Sequence, residues 1–122
     1  MKKRWNVKPE VDIMDVTMIH ENLMILLTAF IMWCHQHGKP AVVTSMISDK
    51  VYGRVSRTHA EGRAFDISVK GWSPKEIEKF VNYFNRTFKE IAAISKSDLK
   101  PRAAVYHQVE GNAPHIHLQV KP

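Results

Sequence analysis

Hydrophobic and polar positions along the chain fall into three patterns: one nearly continuous apolar block, one alternating stretch and one helical stripe. The block runs from Leu23 to Cys34, broken by Thr28. It predicts a long helix from about Thr17 to His37, with Thr17 able to cap its start and Gly38, then Pro40, ending it. Apolar residues on nearly every face make this helix central to the core. Pro40 to Ile47 is rich in β-branched residues and predicts a strand. Residues 48–62 are polar, contain Gly53 and Gly62, and read as a loop. The alternating stretch is Arg63 to Val69, with Phe65, Ile67 and Val69 on one face and Ala64, Asp66 and Ser68 on the other, the signature of a half-buried strand.

The helical stripe is Ile77, Phe80, Val81, Phe84, Phe88 and Ile91. Ser73 as N-cap, Pro74 at the first helical position and Glu76 three residues after the cap form a capping box ahead of it. The pattern predicts a helix ending near Ser95. Two further strands follow, Ala103 to Val109 and His115 to Val120, joined through Gly111-Asn112 as a hairpin. Helix, strand, strand, helix, strand, strand is the order of an α+β domain, a small antiparallel sheet with its helices mainly on one face. Residues 1–15, with Pro9 and scattered charges, read as an extended N-terminal arm, and 16–122 as a single domain.

Composition narrows the class. At 122 residues, 44% hydrophobic and 25% charged, the chain has the make-up of one globular domain, not of a disordered or collagen-like one. Cys34 is the sole cysteine, which excludes an internal disulfide and a thiolate zinc ribbon. Eighteen Lys and Arg against twelve Asp and Glu give a net charge of +6 and favour an anionic partner. Part of that excess lies in Lys2, Lys3, Arg4 and Lys8. The twelve-residue apolar block is well short of the ~20 residues that span a bilayer. Trp5 to Glu10 stand where a signal peptide would be apolar, so synthesis in the cytoplasm without such a peptide is expected.

The chemistry-bearing residues cluster in the second half, with His59, His107, His115 and His117 accompanying Asp66. A carboxylate within a short apolar strand needs a partner, which Arg63 or Arg54 could supply. His115 and His117, two apart on a strand, share a face with Gln119, roughly 7 Å between neighbours. His59, Asp66 and one strand histidine supply two imidazoles and one carboxylate, the three-ligand set of a catalytic zinc with an open fourth position. Such a zinc makes a water nucleophilic near neutral pH. Gly62 permits a tight turn between His59 and the strand carrying Asp66.

Ser56-Arg-Thr-His59-Ala-Glu-Gly62-Arg-Ala64-Phe-Asp66 resembles the S-x-H-x-x-G-x-A-x-D signature of the LAS metallopeptidases. These are the zinc D-alanyl-D-alanine carboxypeptidases and dipeptidases, and the phage endopeptidases that cut peptidoglycan stem peptides. Pro114-His-Ile-His117-Leu-Gln-Val resembles the family's closing strand. The resemblance implies a hedgehog/DD-peptidase-like fold, zinc held by His59, Asp66 and His117, and a peptidoglycan stem peptide as substrate. It implies His115 as the proton-transfer or oxyanion group and Ser56 as a hydrogen-bonding support for the His59 region, close to substrate. Many members carry a glutamate three residues before the last zinc histidine, where this chain has Pro114; His115 or Glu110 would then be the base. Arg54 is the arginine expected to hold substrate. Val105 and Val109 read as core positions, which turns Tyr106 and Gln108 toward the site, while a five-residue hairpin loop would instead pair His107 with His117. The implied enzyme is a monomer acting on the cell wall, of a size that suits a phage product, with nucleic acid and membrane spans excluded as partners.

Two other classes compete. His-Ile-His on a strand also resembles the metal site of HUH single-strand nucleases, with Tyr83 as the nucleophile, but that reading leaves His59 and Asp66 without a joint role. Alternatively, His59, Asp66, His115 and His117 together would make a closed, non-catalytic zinc site in a wall-binding module.

Overall fold

The computed structural model describes residues 6–7, 19–46, 62–108 and 113–122, with backbone only at Asn6 and Val7. In chain order the elements are β1 (Asn6–Val7), α1 (Glu21–Gln36), β2 (Val42–Ser45), β3 (Ala64–Ser68), α2 (Pro74–Thr87), a 3-10 turn (Lys89–Ile91), β4 (Ala104–His107) and β5 (His115–Gln119). The strands form one sheet in the order β1-β2-β3-β5-β4. β2, β3, β5 and β4 run antiparallel to their neighbours, as the α+β reading expects. β1 adds to the edge in parallel, Asn6 opposite Val42 and Val7 opposite Val43, so this part of the expected arm is a sheet strand.

α1 starts later than the apolar pattern implies. His20 sits at its N-cap with ψ 141°, outside the helical region, and its N–H donates to the Gly62 carbonyl at 2.8 Å. Its Nδ1 accepts from the Asn22 N–H, capping the first turn in place of Thr17, which lies outside the described residues. Gly38, at φ +66°, turns the chain out of the helix in the left-handed conformation that glycine adopts without strain. α2 carries the expected capping box: Ser73 Oγ accepts from the Glu76 N–H, and Glu76 Oε1 accepts from the Ser73 N–H. It ends at Thr87 and not near Ser95, because Ala92 and Ile94 are drawn into bridges with Val120 and Pro101. An extended partner for those residues outcompetes continued helix.

Both helices cover the same face of the sheet. Phe30 of α1 and Phe80 and Phe84 of α2 are fully buried against Phe65 and Ile67 of β3 and Ile116 and Leu118 of β5. Phe30 meets Phe65 at 6.2 Å between ring centroids and Phe80 edge-on at 6.2 Å. Each ring of this cluster, truncated to alanine, would cost about 3–5 kcal/mol. The strand period of two then puts Ala64, Asp66 and Ser68 on the opposite face. No described helix is long and apolar enough to cross a membrane.

Candidate metal centre

Strand register builds the site. β3 pairs with β5 so that Asp66 faces His117, Ser68 faces His115 and Ala64 faces Gln119. β4 pairs with β5 from the other side, placing Val105 opposite His117 and His107 opposite His115. One sheet face therefore presents Asp66, His117, His115 and His107 on three adjacent strands. The His107 ring lies 5.3 Å from that of His115 and 5.8 Å from that of His117, centroid to centroid.

Asp66 Oδ1 and His117 Nδ1 are 2.9 Å apart, with side chains 17% and 13% exposed, enough for a solvent-borne ligand to reach them. His117 Nε2 stands 3.0 Å from Gln119 Oε1, and Gln119 Nε2 donates to the Arg102 carbonyl at 3.0 Å. That carbonyl accepts only, so it orients the Gln119 amide with its oxygen toward the imidazole. Nε2 thereby donates to the Gln119 oxygen, and Nδ1 is the nitrogen turned toward the carboxylate oxygen. This is the arrangement of a metal-ligating histidine whose outer ring N–H is held by a fixed acceptor. The donor set of Asp66 Oδ1 and His117 Nδ1 suits zinc, which takes imidazole nitrogen and carboxylate oxygen together. His115 Nδ1 lies 3.1 Å from the Ala113 carbonyl; donation there leaves Nε2 with its lone pair.

His107 is the residue that the alternation at Val105 and Val109 obscured. Burial, and secondly the neighbouring His117 and His115, push its pKa below the ordinary 6.5, while Asp66 opposes them. Tyr106, expected on the site side, is turned away: it pairs with Ile116 and packs against the core beneath the helices. Tyr83 is on α2, on the helix-covered face, and so on the far side of the sheet from the imidazoles. Arg63 is buried and donates to the Val120 carbonyl at 2.7 Å, and Asp66 meets His117. Gly62, at φ +69°, makes the tight turn into β3 that its position suggested.

Among the described residues, no three His, Cys, Asp or Glu side chains are grouped to hold a metal ion. The expected third ligand, His59, lies outside the described residues, as do Arg54, Ser56 and Glu110. Gln119 and Arg102 were not assigned a role from sequence. The signal for Gln119 was its place two residues beyond His117, on the same strand face. Nothing local pointed to Arg102, because it acts through its carbonyl. No family model, curated protein or solved structure matches the chain.

Proposed function

We propose that the chain is a zinc peptidase that hydrolyses peptide bonds in peptidoglycan stem peptides. The observation that supports it most is the Asp66–His117 pair, one residue from each of the two segments that resemble the LAS metallopeptidases, directly opposed across β3 and β5. The spacing His59-x-x-Gly62-x-Ala64-x-Asp66 is that of the family signature; Ser56 stands three residues before His59, where the signature has two, and carries less of the likeness.

In this reading Asp66 and His117 hold zinc with His59, and Gln119 fixes the imidazole through Nε2–H. When bound, zinc supplies Lewis acidity, making a water nucleophilic near neutral pH and polarising a peptide carbonyl. His115, with Nε2 free, takes and returns the proton from its place beside the ligand pair. Glu110 is the other candidate for that task, and Arg54 and Ser56 are the candidates for gripping substrate. The HUH nuclease reading is disfavoured because Tyr83 stands on the opposite face of the sheet from His115 and His117.

The test is metal content of the purified chain together with mass spectrometry of stem peptides before and after incubation. About one zinc per chain and a cleaved peptide are expected, both lost in Asp66→Ala and in His117→Ala. Full zinc occupancy in Asp66→Ala would overturn the ligand assignment. An intact peptide with zinc bound would favour the non-catalytic module.

A further inference from the structure

A second surface feature lies outside this site. The end of α2 and the segment before β4 enclose a cleft of about 370 Å³ lined by Asn82, Asn85, Arg86, Lys89, Lys100, Pro101 and Arg102. Four of those seven residues are cationic. Arg102 is paired with Asp98 at 2.8 Å. Among the described residues, Arg86, Lys89 and Lys100 have no carboxylate within ion-pair distance. Asp98 offsets Arg102 and in part Lys100, while Arg86 and Lys89 keep their repulsion, which an anion seated in the cleft relieves. The walls are fixed in advance: the Asn85 amide both donates to the Ala104 carbonyl at 2.9 Å and accepts from its N–H at 2.8 Å, fastening α2 to β4. Asn82, exposed on the rim, is free to hydrogen-bond hydroxyl groups.

We infer that this cleft binds a phosphodiester-linked polyol of the cell wall, holding the enzyme on its substrate matrix. The choice of a wall polymer as occupant rests on the peptidase reading; the cleft's preference for phosphate does not. Single-stranded nucleic acid is disfavoured because the lining has no aromatic ring on which a base could stack. The cleft's volume suits one or two phosphate–polyol units. Arg102 also ties the cleft to the metal centre, since its carbonyl holds Gln119 and Gln119 holds His117.

The experiment titrates the full chain at low salt with lipid-free poly(glycerol phosphate) and, in parallel, with oligo-dT. The variants are Lys89→Gln/Lys100→Gln, and Lys70→Gln/Lys75→Gln as a control that removes the same charge near the start of α2, from residues that do not line the cleft. Binding of poly(glycerol phosphate) is expected to weaken about tenfold or more in the cleft variant and far less in the control. Equal weakening in both variants, or none in either, overturns the proposal. Tighter binding of oligo-dT through Lys89 and Lys100 also overturns it, in favour of nucleic acid. Hydrolysis of a soluble stem peptide is measured separately on the same proteins. Cleft-dependent polymer binding without any hydrolysis overturns the peptidase reading and keeps the cleft. Hydrolysis without cleft-dependent binding does the reverse.

Discussion

Asp66 and His117 meet across two antiparallel strands at 2.9 Å, and Gln119 braces the far side of the same imidazole at 3.0 Å. The carboxylate, the ring and the amide form one chain ending at the Arg102 main chain. Because Gln119 is itself oriented by that carbonyl, the imidazole is held in one orientation, with Nδ1 toward Asp66, before any ligand arrives.

Gln119→Met tests this bracing. The side chain keeps similar bulk but offers no amide, so His117 Nε2–H and the Arg102 carbonyl both lose their partner. Zinc affinity should drop by about 10–100-fold, as is usual when an outer-shell partner is removed. Stability should fall by about 1–3 kcal/mol for the buried polar groups left unpaired. Zinc titration and urea denaturation of the same variant read the two effects separately. Unchanged zinc affinity would show that Gln119 supports the fold alone.

The α2 cap offers a test independent of function. Ser73→Ala should cost about 1 kcal/mol in urea denaturation, the usual loss for an N-cap hydroxyl. Its partner Glu76 also bonds Lys39 at 2.8 Å. The hydrogen bond from Lys39, then that from the Ser73 backbone, lowers its pKa from 4.5 to about 2. A depressed carboxylate pKa means that its contribution is complete above 4.5 and is lost as pH falls toward about 2. Glu76→Gln should therefore lower stability at neutral pH, converge with the parent protein as pH falls toward about 2, and so flatten the acid limb in that window.

The parts of this molecule that were legible in the sequence are those encoded locally. The Ser73–Glu76 box and the Phe65–Ile67 alternation each depend on neighbours a few residues away, and both appear as read. The ends of the helices were not legible, because distant partners set them: Gly62 takes the His20 N–H, and Val120 takes Ala92 into a bridge. The sequence leaves the site-facing side of β4 open for a related reason. Val105 is apolar yet lies on the face of the imidazoles, while Tyr106 carries a hydroxyl yet packs under the helices. Hydropathy alone assigns both to the wrong face. β1 gave no signal at all, since two residues among scattered charges have no periodicity. For the site, the face shared by Asp66, His115 and His117 was predictable from the strand period, whereas the Gln119–Arg102 support depends on a main-chain carbonyl that no side-chain pattern encodes.

His107 should give the metal-free protein a pH signature. Its folded pKa lies below 6.5 because burial, then His117 and His115, disfavour its charged form. Below about 6.5 the unfolded chain therefore takes up a proton that the folded chain resists, and stability from this residue falls as pH falls. Thermal melts of chelator-treated protein across that range should show the decline, and His107→Asn should reduce it. A decline of equal slope in the variant would assign the effect to other groups.

The three imidazoles on this face should differ in kind when removed. His117 is opposed to Asp66, so His117→Ala should lose zinc and peptidase activity together. His115 is placed two residues along with Nδ1 directed at the Ala113 carbonyl, leaving Nε2 for proton transfer. His115→Ala should thus keep zinc and fold but lose roughly 10²–10⁴ in kcat, the range for a positioned acid–base group. His107 contacts both rings from β4 and faces no carboxylate across the strand pair. His107→Asn should retain zinc and lose less kcat than His115→Ala. Glu110→Ala should also lose less, if His115 is the base. The measurements are zinc content and kcat on one stem peptide for all four variants. An empty site in His115→Ala with zinc retained in His117→Ala would reverse the two roles. A zinc-replete Glu110→Ala that is the slowest of the set would make the hairpin glutamate the base, with His115 in support.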